Sequence, residues 1–300
     1  MKYKRLVTDM READRRKQLA KRMKYAVCIC AGIVIGIIAG ICIGIDYNKT
    51  TRSTPALYTE MEHGLELTPG ELANLIYDNY WNYIKKSYII VGDDKETAQL
   101  YKISSKVARH NYDLERFQLD DNGYMSYSDD KIKHAKLGID VSSHQGSIDW
   151  ETVKEAGIKF AMIRLGYRGY TQGGLALDDG YVTNIETALE AEMPVGVYFY
   201  TQAVSYDEGV EEAQYVLQNI AGYKISYPVV IDTEKMEAEG ARANDISNEE
   251  RTDAIVGFCE TIKDAGYTPM IYANRNWYAQ NLDMDRLGDY QLWLAQYSNV

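Results

Sequence analysis

Apolar and polar positions follow a regular order through the second half of the chain, where short apolar runs alternate with longer amphipathic segments. Six apolar runs from position 137 onward have the length of strands: KLGIDV, KFAMIRLGY, MPVGVYFYT, YPVVIDTE, TPMIYAN and YQLWLAQY. The segments between them have apolar residues near helical spacing: DWETVKEAG, YVTNIETALEAE, YDEGVEEAQYVLQNIAGY, SNEERTDAIVGFCETIKDAGY and RNWYAQNL. This alternation predicts an α/β fold with a parallel sheet. Because no GxGxxG turn occurs, it favours an irregular, TIM-like (β/α) barrel over 137–300 rather than a dinucleotide-binding fold.

The beginning of the chain has a different pattern. Residues 25–45, YAVCICAGIVIGIIAGICIGI, contain no charge, and a helix of this length spans the hydrocarbon core of a bilayer, roughly 30 Å. Residues 1–24 carry ten Lys/Arg against three Asp/Glu. The positive-inside rule therefore predicts a basic cytoplasmic tail over 1–24, a single transmembrane helix in the cell membrane over 25–45, and an extracytoplasmic remainder. A cleaved signal peptide is the alternative, but its apolar region is normally shorter, about 7–15 residues.

Residues 46–136 form a predicted helical stalk or spacer of unknown partner. The stretch TPGELANLIYDNYWNYIKKSYI begins with a cap-like Thr68 and Pro69 and continues near helical spacing. A second helix is predicted over ETAQLYKISSKVARHNYDLERF. The region closes on LDDNGYMSYSDD, where Asn122 and Gly123 predict a hairpin turn.

Charge and cysteine content narrow the classes of function. The whole chain carries a net charge of −11 and its first 24 residues carry +7, so the remainder carries −18. A strongly acidic body argues against a nucleic-acid partner. Outside the apolar segment the only cysteine is Cys259, and neither a CxxC pair nor a Cys/His zinc spacing occurs. The four histidines are scattered, so we expect no metal site and no cofactor.

Polar residues fall at the carboxyl ends of the predicted strands, the rim at which a (β/α) barrel carries its function. They are Asp140, Arg164, Thr201, Gln202, Asp232, Glu234, Asn274 and Gln296. Asp232 and Glu234 are two positions apart, and alternation along a strand places them on one face, roughly 6–7 Å apart. Aromatic residues cluster near the same ends: Tyr167, Tyr170, Tyr198, Tyr200, Tyr272, Trp277, Trp293 and Tyr297. Such aromatics commonly stack on sugar faces, although packing accounts for some of them.

The segments GIDVSSHQGSIDW, FAMIRLGYRG, VGVYFYTQA, YPVVIDTE and LWLAQY occur in this order. Together they resemble the glycoside hydrolase family 25 lysozymes, the Cellosyl- or Chalaropsis-type muramidases, over residues 137–300. The resemblance implies cleavage of the β-1,4 bond between N-acetylmuramic acid and N-acetylglucosamine, so that peptidoglycan glycan strands are the expected partner. It also implies an irregular (β/α) barrel.

The resemblance further implies roles for individual residues. Glu234 matches the general acid, Asp232 its partner carboxylate, and Asp140 a further acid on the first strand. The expected substrate-binding residues are Tyr167, Tyr198, Tyr200, Tyr272, Trp293 and Tyr297. A glycosidic oxygen is a poor leaving group and needs a proton, which Glu234 can supply if neighbouring negative charges raise its pKa. Two routes remain open: assistance by the substrate's own acetamido oxygen with Asp232 holding it, or activation of a water with inversion.

The sequence departs from the family at its end. Relatives continue past the Trp-x-Ala-x-Tyr strand, whereas this sequence ends at Val300, three residues after Tyr297. We therefore expect a chain that is C-terminally incomplete and a barrel that lacks its last strands.

Two other functions are alternatives to the muramidase. A chitinase-type glycosidase would carry two more aspartates where this chain has Tyr227 and Val230. A non-catalytic glycan-binding module on a membrane anchor would keep the aromatics yet tolerate loss of the acids, whereas all three acids are present.

Overall fold

The computed structural model describes residues 74, 77–80, 83–84, 86–92, 98–110, 112–121, 123–129 and 135–297, and those from 75 onward belong to one compact unit. The strands are β1 (Tyr88–Val91), β2 (Gln99–Lys102), β3 (Phe117–Leu119), β4 (Met125–Tyr127), β5 (Gly138–Val141), β6 (Phe160–Arg168), β7 (Leu175–Leu177), β8 (Val195–Tyr200), β9 (Val229–Asp232), β10 (Pro269–Asn274) and β11 (Gln291–Ala295). The helices with labels here are α1 (Trp150–Glu155), α2 (Tyr181–Glu190), α3 (Tyr206–Ile220), α4 (Asn248–Asp264), α5 (Arg275–Asn281) and α6 (Met284–Leu287).

The main sheet has the strand order β11-β10-β9-β8-β6-β5, and every neighbouring pair in it is parallel. The six strands predicted from the apolar runs are confirmed, as are the five helices between them. The short β7, which the sequence pattern did not reveal, pairs antiparallel with β6. In the described residues β5 and β11 each have only one neighbouring strand in the main sheet. The barrel prediction is therefore wrong, and the sheet is an open, curled half-barrel.

The core lies between the sheet and the helices that cover it. Fully buried strand residues include Ile163, Val197 and Ile231, and helices α2 and α4 contribute Ile185 and Phe258. Central strands are apolar on both faces, as a parallel sheet covered by helices requires.

Helices α3 and α4 cross at glycines. A Cβ atom added to Gly209 would lie 1.9 Å from the carbonyl oxygen of Ala254, and one added to Gly257 would lie 2.4 Å from that of Tyr206. Only glycine fits at these two positions of the helix crossing.

The region before the sheet corrects the prediction of a helical spacer. Residues 77–80, 83–84 and 86–87 are helical, within the first predicted helix. The second predicted helix is wrong, because its residues 99–102 form β2, which pairs antiparallel with β1. The predicted terminal hairpin is confirmed: β3 and β4 pair antiparallel, and Gly123 in their turn has a φ of +80° that suits glycine.

The β1–β2 hairpin is attached to the end of the main sheet through α5 and α6. Ser104 Oγ donates to Asp285 Oδ1 at 2.5 Å, and Gln280 Nε2 donates to Tyr101 Oη at 3.3 Å. Arg275 Nη2 donates to the carbonyl oxygen of Ile90 at 3.3 Å. The hairpin is thus part of the same compact unit as the main sheet.

The transmembrane part of the predicted fold is not supported. None of the helices in the described part of the chain combines the length and the apolar character needed to cross a bilayer. Residues 25–45, over which the membrane helix was predicted, lie outside the described residues.

Candidate active site

One row of side chains crosses the carboxyl ends of five neighbouring strands. The strand register pairs Tyr167 with Tyr200, Tyr200 with Asp232, Asp232 with Tyr272, and Tyr272 with Trp293. Parallel strands in register bring their carboxyl ends to the same edge of the sheet, so residues far apart in sequence become lateral neighbours. The row consists of one carboxylate flanked on both sides by aromatic rings.

These residues line a cleft of about 570 Å³. The cleft holds all nine predicted site residues: Asp140, Tyr167, Tyr198, Tyr200, Asp232, Glu234, Tyr272, Trp293 and Tyr297. Five acids and two arginines lie along it, the acids being Asp140, Asp178, Asp179, Asp232 and Glu234. Aromatic and charged side chains are interspersed along the cleft, because β6 contributes both Tyr167 and Arg164.

Asp232 is the most buried of the predicted acids, with 6% of its surface exposed. Burial raises its pKa well above the ordinary value, and the charges of Glu234 and Asp140 raise it further, whereas Arg164 lowers it. Within the described residues Oδ1 of Asp232 is buried and has no hydrogen-bond partner. An unpaired buried carboxylate oxygen is costly, and it is available to a group on a bound ligand.

Glu234 follows β9 by two residues and is half-buried. Burial raises its pKa, so this carboxyl holds its proton to a higher pH than an exposed glutamate does. The sequence analysis expected a neutral Glu234 beside an ionised Asp232. In the structure burial raises the pKa of both carboxyls, and the buried Asp232 is strongly affected.

The opposite end of the cleft is built by residues that the sequence analysis did not assign to the site. Asp178 accepts hydrogen bonds from Arg164 Nε at 2.7 Å, from the Ser143 backbone N–H at 2.8 Å and Oγ at 3.0 Å, and from the Gly180 N–H at 2.9 Å. Burial opposes ionisation of Asp178, but these donors outweigh it and lower the pKa of the carboxyl. Asp178 directly follows β7. Arg164, which the sequence analysis placed at a strand end, lies in the middle of β6, and it was the one signal available for this part of the cleft.

An aromatic wall closes the other end of the cleft. The Tyr272 and Trp293 rings meet edge to face with their centroids 4.8 Å apart, and the Tyr272 and Tyr297 hydroxyls lie 2.9 Å apart. Tyr170 also lines the cleft. Trp277, which the sequence placed in the same cluster, lies outside the cleft, and its indole N–H donates to Thr233 Oγ1 at 3.1 Å.

A metal centre finds no support in this geometry. In the part of the chain that the structure describes, no three His, Cys, Asp or Glu side chains are grouped so that they could hold a metal ion. Cys259 is buried in α4 and lies among core residues.

A pair of carboxyls in an aromatic-lined cleft is the arrangement expected of a glycoside hydrolase. Residues 139–300 match the family model described as Glycosyl hydrolases family 25. The chain belongs to glycosyl hydrolases family 25.

Relatives support this assignment. The autolytic lysozyme of Clostridium acetobutylicum is 29% identical over 160 residues, which cover 53% of this chain and 44% of that protein. Lysozyme M1 of Streptomyces globisporus is 35% identical over 100 residues, covering 32% of each chain. The modular autolysin LytC of Streptococcus pneumoniae superposes with a TM-score of 0.51 at 26% identity, covering 61% of this chain and 44% of LytC. The chain therefore spans less than half the length of each of these relatives.

Proposed function

We propose that this protein is a muramidase that cleaves the β-1,4 bond between N-acetylmuramic acid and N-acetylglucosamine in peptidoglycan. The observation that carries the proposal is the pair Asp232 and Glu234, both with raised pKa, at the centre of an aromatic-lined cleft. Family membership supports it, as does a structure of LytC in complex with a synthetic peptidoglycan ligand, which superposes with a TM-score of 0.51 at 25% identity.

Glu234 is the proposed general acid. Its partial exposure leaves it open to the cleft, and its raised pKa lets it hold its proton to a higher pH than an exposed glutamate does. While Glu234 is protonated, its charge no longer opposes ionisation of Asp232, and Arg164 then favours the Asp232 carboxylate. The proposed reaction requires the two carboxyls in opposite protonation states, and Arg164 is the neighbouring charge that favours the ionised form of Asp232.

Asp232 is the proposed partner carboxylate. Its unpaired Oδ1 can accept a hydrogen bond from the acetamido N–H of the substrate, which would orient the acetamido oxygen toward the anomeric carbon. It can equally accept a proton from an attacking water in an inverting reaction. Asp140, an exposed residue of β5, lies in the same cleft and adds negative charge beside Asp232.

Digestion of purified cell wall tests the proposal. The protein should release muropeptides with new reducing-end muramic acid, identified by mass spectrometry. Glu234→Gln should reduce the rate by about 10²–10⁴-fold, the usual contribution of a general acid. Glu239→Gln is a matched control, because Glu239 is an exposed acid in the same loop and does not line the cleft.

Other outcomes contradict the proposal in distinct ways. Reducing-end glucosamine would make the protein a glucosaminidase. If the unsubstituted protein co-sediments with the wall but releases no reducing ends, the result would favour a glycan-binding module on a membrane anchor. Full activity of Glu234→Gln would remove the acid assignment while leaving the substrate class intact.

We also propose that the hydrolase unit works outside the cytoplasmic membrane, where its substrate lies. The charge pattern of residues 1–24 and the apolar residues 25–45 support this location and bilayer contact through residues 25–45, and both remain predictions from the sequence. Fractionation of cells that express the chain with or without residues 1–45 checks them. Persistence of the shortened chain in the membrane fraction would count against this attachment. C-terminal incompleteness likewise remains a prediction.

A further inference from the structure

Thr233 stands between the two proposed catalytic carboxyls and points the other way. Side chains alternate along an extended backbone, so the residue between Asp232 and Glu234 faces the opposite side of the sheet. Thr233 is 3% exposed, and its hydroxyl lies under α5, where it accepts the hydrogen bond from Trp277 Nε1. The threonine is therefore anchored behind the cleft.

Backbone hydrogen bonds to the neighbouring strands fix the chain as far as Thr233. The Asp232 carbonyl accepts a hydrogen bond from the Thr201 N–H at 3.0 Å, and the Thr233 N–H donates to the Tyr272 carbonyl at 3.0 Å. Strand β9 ends at Asp232, so Glu234 lies beyond the ladder. The side chain of Thr233 is then the last anchor before the proposed general acid.

Trp277 is itself fixed from two directions. Its backbone N–H donates to Asn274 Oδ1 at 2.9 Å, which caps α5, and the Arg251 guanidinium carbon lies 4.9 Å from the centroid of its ring. Arg251 is 4% exposed and donates to the Ala243 carbonyl at 2.6 Å. The attraction between a cation and a ring face favours this orientation of the indole.

The same group adjoins Glu234. A small cavity of about 10 Å³ is lined by Glu234 together with Thr233, Arg251 and Trp277. Glu234 also lines the substrate cleft, so the same residue borders both the cleft and the group behind it. A displacement of Trp277 or Thr233 would therefore act directly on the proposed acid.

We propose that Trp277 and Thr233, with Arg251 clamping the indole, are positioning residues that fix Glu234 and Asp232 for proton transfer. This inference rests on the proposed function. Trp277 touches no substrate in this scheme and acts through the Thr233 hydroxyl. A displacement of about 1 Å at a reacting group costs roughly a hundredfold in rate, so the loss of one anchoring hydrogen bond should appear in kcat.

The chain contains a matched control pair. Trp150 Nε1 donates to Thr187 Oγ1 at 2.8 Å, which is the same tryptophan–threonine hydrogen bond between α1 and α2. Neither residue lines the cleft. Trp150→Phe and Thr187→Val remove the same donor or acceptor as Trp277→Phe and Thr233→Val, so they report the structural cost of the bond alone.

The test measures kcat and KM of the full chain on soluble, uncross-linked peptidoglycan strands. Thr233→Val and Trp277→Phe should each lower kcat about tenfold or more, with KM changed by less than about threefold. The double variant should be no slower than either single variant, because both remove one bond. Thr233→Ser, which keeps the hydroxyl, should restore most of kcat, and both control variants should stay within about twofold of the parent.

The outcomes separate this inference from the proposed function. If Glu234→Gln is inactive while Thr233→Val and Trp277→Phe match their controls in kcat, the positioning role is wrong and the muramidase proposal stands. If Glu234→Gln remains active, the acid assignment fails and the positioning role fails with it, whereas the substrate class is unaffected. Thermal unfolding of all variants shows whether a fall in kcat reflects unfolded protein, and a fall that the control pair reproduces would overturn the inference.

Discussion

Arg164 donates from Nε to Oδ2 of Asp178 at 2.7 Å and lies within electrostatic reach of Asp232. Asp178 thereby fixes the guanidinium that favours the ionised form of the buried carboxyl. The ion pair lies at the charged end of the cleft, opposite Tyr272 and Trp293. It couples the middle of β6 to the residue that follows β7.

Removal of the Arg164 charge should change how activity depends on pH. Arg164→Met takes a cation away from Asp232, so the pKa of Asp232 rises and its ionisation requires a higher pH. The acid limb of the profile of kcat/KM against pH should therefore move to higher pH. Arg164→Lys keeps a charge at the position and should move the limb less. Identical limbs in the two variants would show that this charge does not control the reaction.

Replacement of Asp178 should destabilise the fold. Asp178→Asn removes the carboxylate from a pair in which the Arg164 side chain is only 20% exposed, and the loss of one partner of such a pair costs about 3 kcal/mol. Because the pKa of Asp178 is lowered in the fold, its contribution is present above the unfolded value of 3.8 and is lost as the pH falls through the native pKa. Urea unfolding at neutral and acid pH should show a deficit that shrinks in acid.

Replacement of Asp232 should have the opposite effect on stability. The pKa of Asp232 is raised in the native state. As the pH rises above 3.8, this carboxyl therefore ionises in the unfolded chain before it ionises in the native state. The native state loses stability over this range, until the pH reaches the native pKa. Asp232→Asn removes that loss and should raise Tm at neutral pH, with the gain vanishing toward acid. A lower Tm than the parent at neutral pH would mean that Asp232 has a stabilising partner in the fold.

The aromatic wall should act on binding more than on chemistry. Trp293→Ala removes the indole beside Tyr272 and should raise KM about tenfold, as the loss of one stacking ring commonly does, with a smaller change in kcat. Leu294→Ala is the control, because Leu294 is the next residue of β11, points to the opposite side and is 51% exposed. Equal KM values for the two variants would show that the wall does not contact the substrate.

The sequence pattern predicted the strand ends and hence the row that contains Tyr200, Asp232 and Tyr272. This succeeded because parallel strands in an α/β fold converge at one edge, so the end of each apolar run marks the same side of the molecule. Asp178 and Ser143 escaped notice because Asp178 follows β7 and Ser143 begins a short 3-10 helix, outside the long periodic segments. Trp277 was close to a strand end but faces the back of the site, a direction that a sequence position alone does not give.

Two errors in the predicted fold have a common cause. Residues 99–102 had helical spacing within a longer window, yet their pairing with 88–91 makes them a strand. Closure of the sheet likewise depends on whether β5 meets β11. Both are pairings between separate segments of the chain, and the periodicity within one segment carries no information about its pairing with another.

The unpaired Oδ1 of Asp232 means that thermal stability and the proposed catalytic activity place opposite demands on residue 232. A library screened only for survival at high temperature would enrich asparagine at this position, and under the proposed mechanism the enriched variants would lose activity on glycan. A more thermostable variant should therefore keep Asp232 and carry its stabilising substitutions among the helices that cover the sheet, away from the cleft.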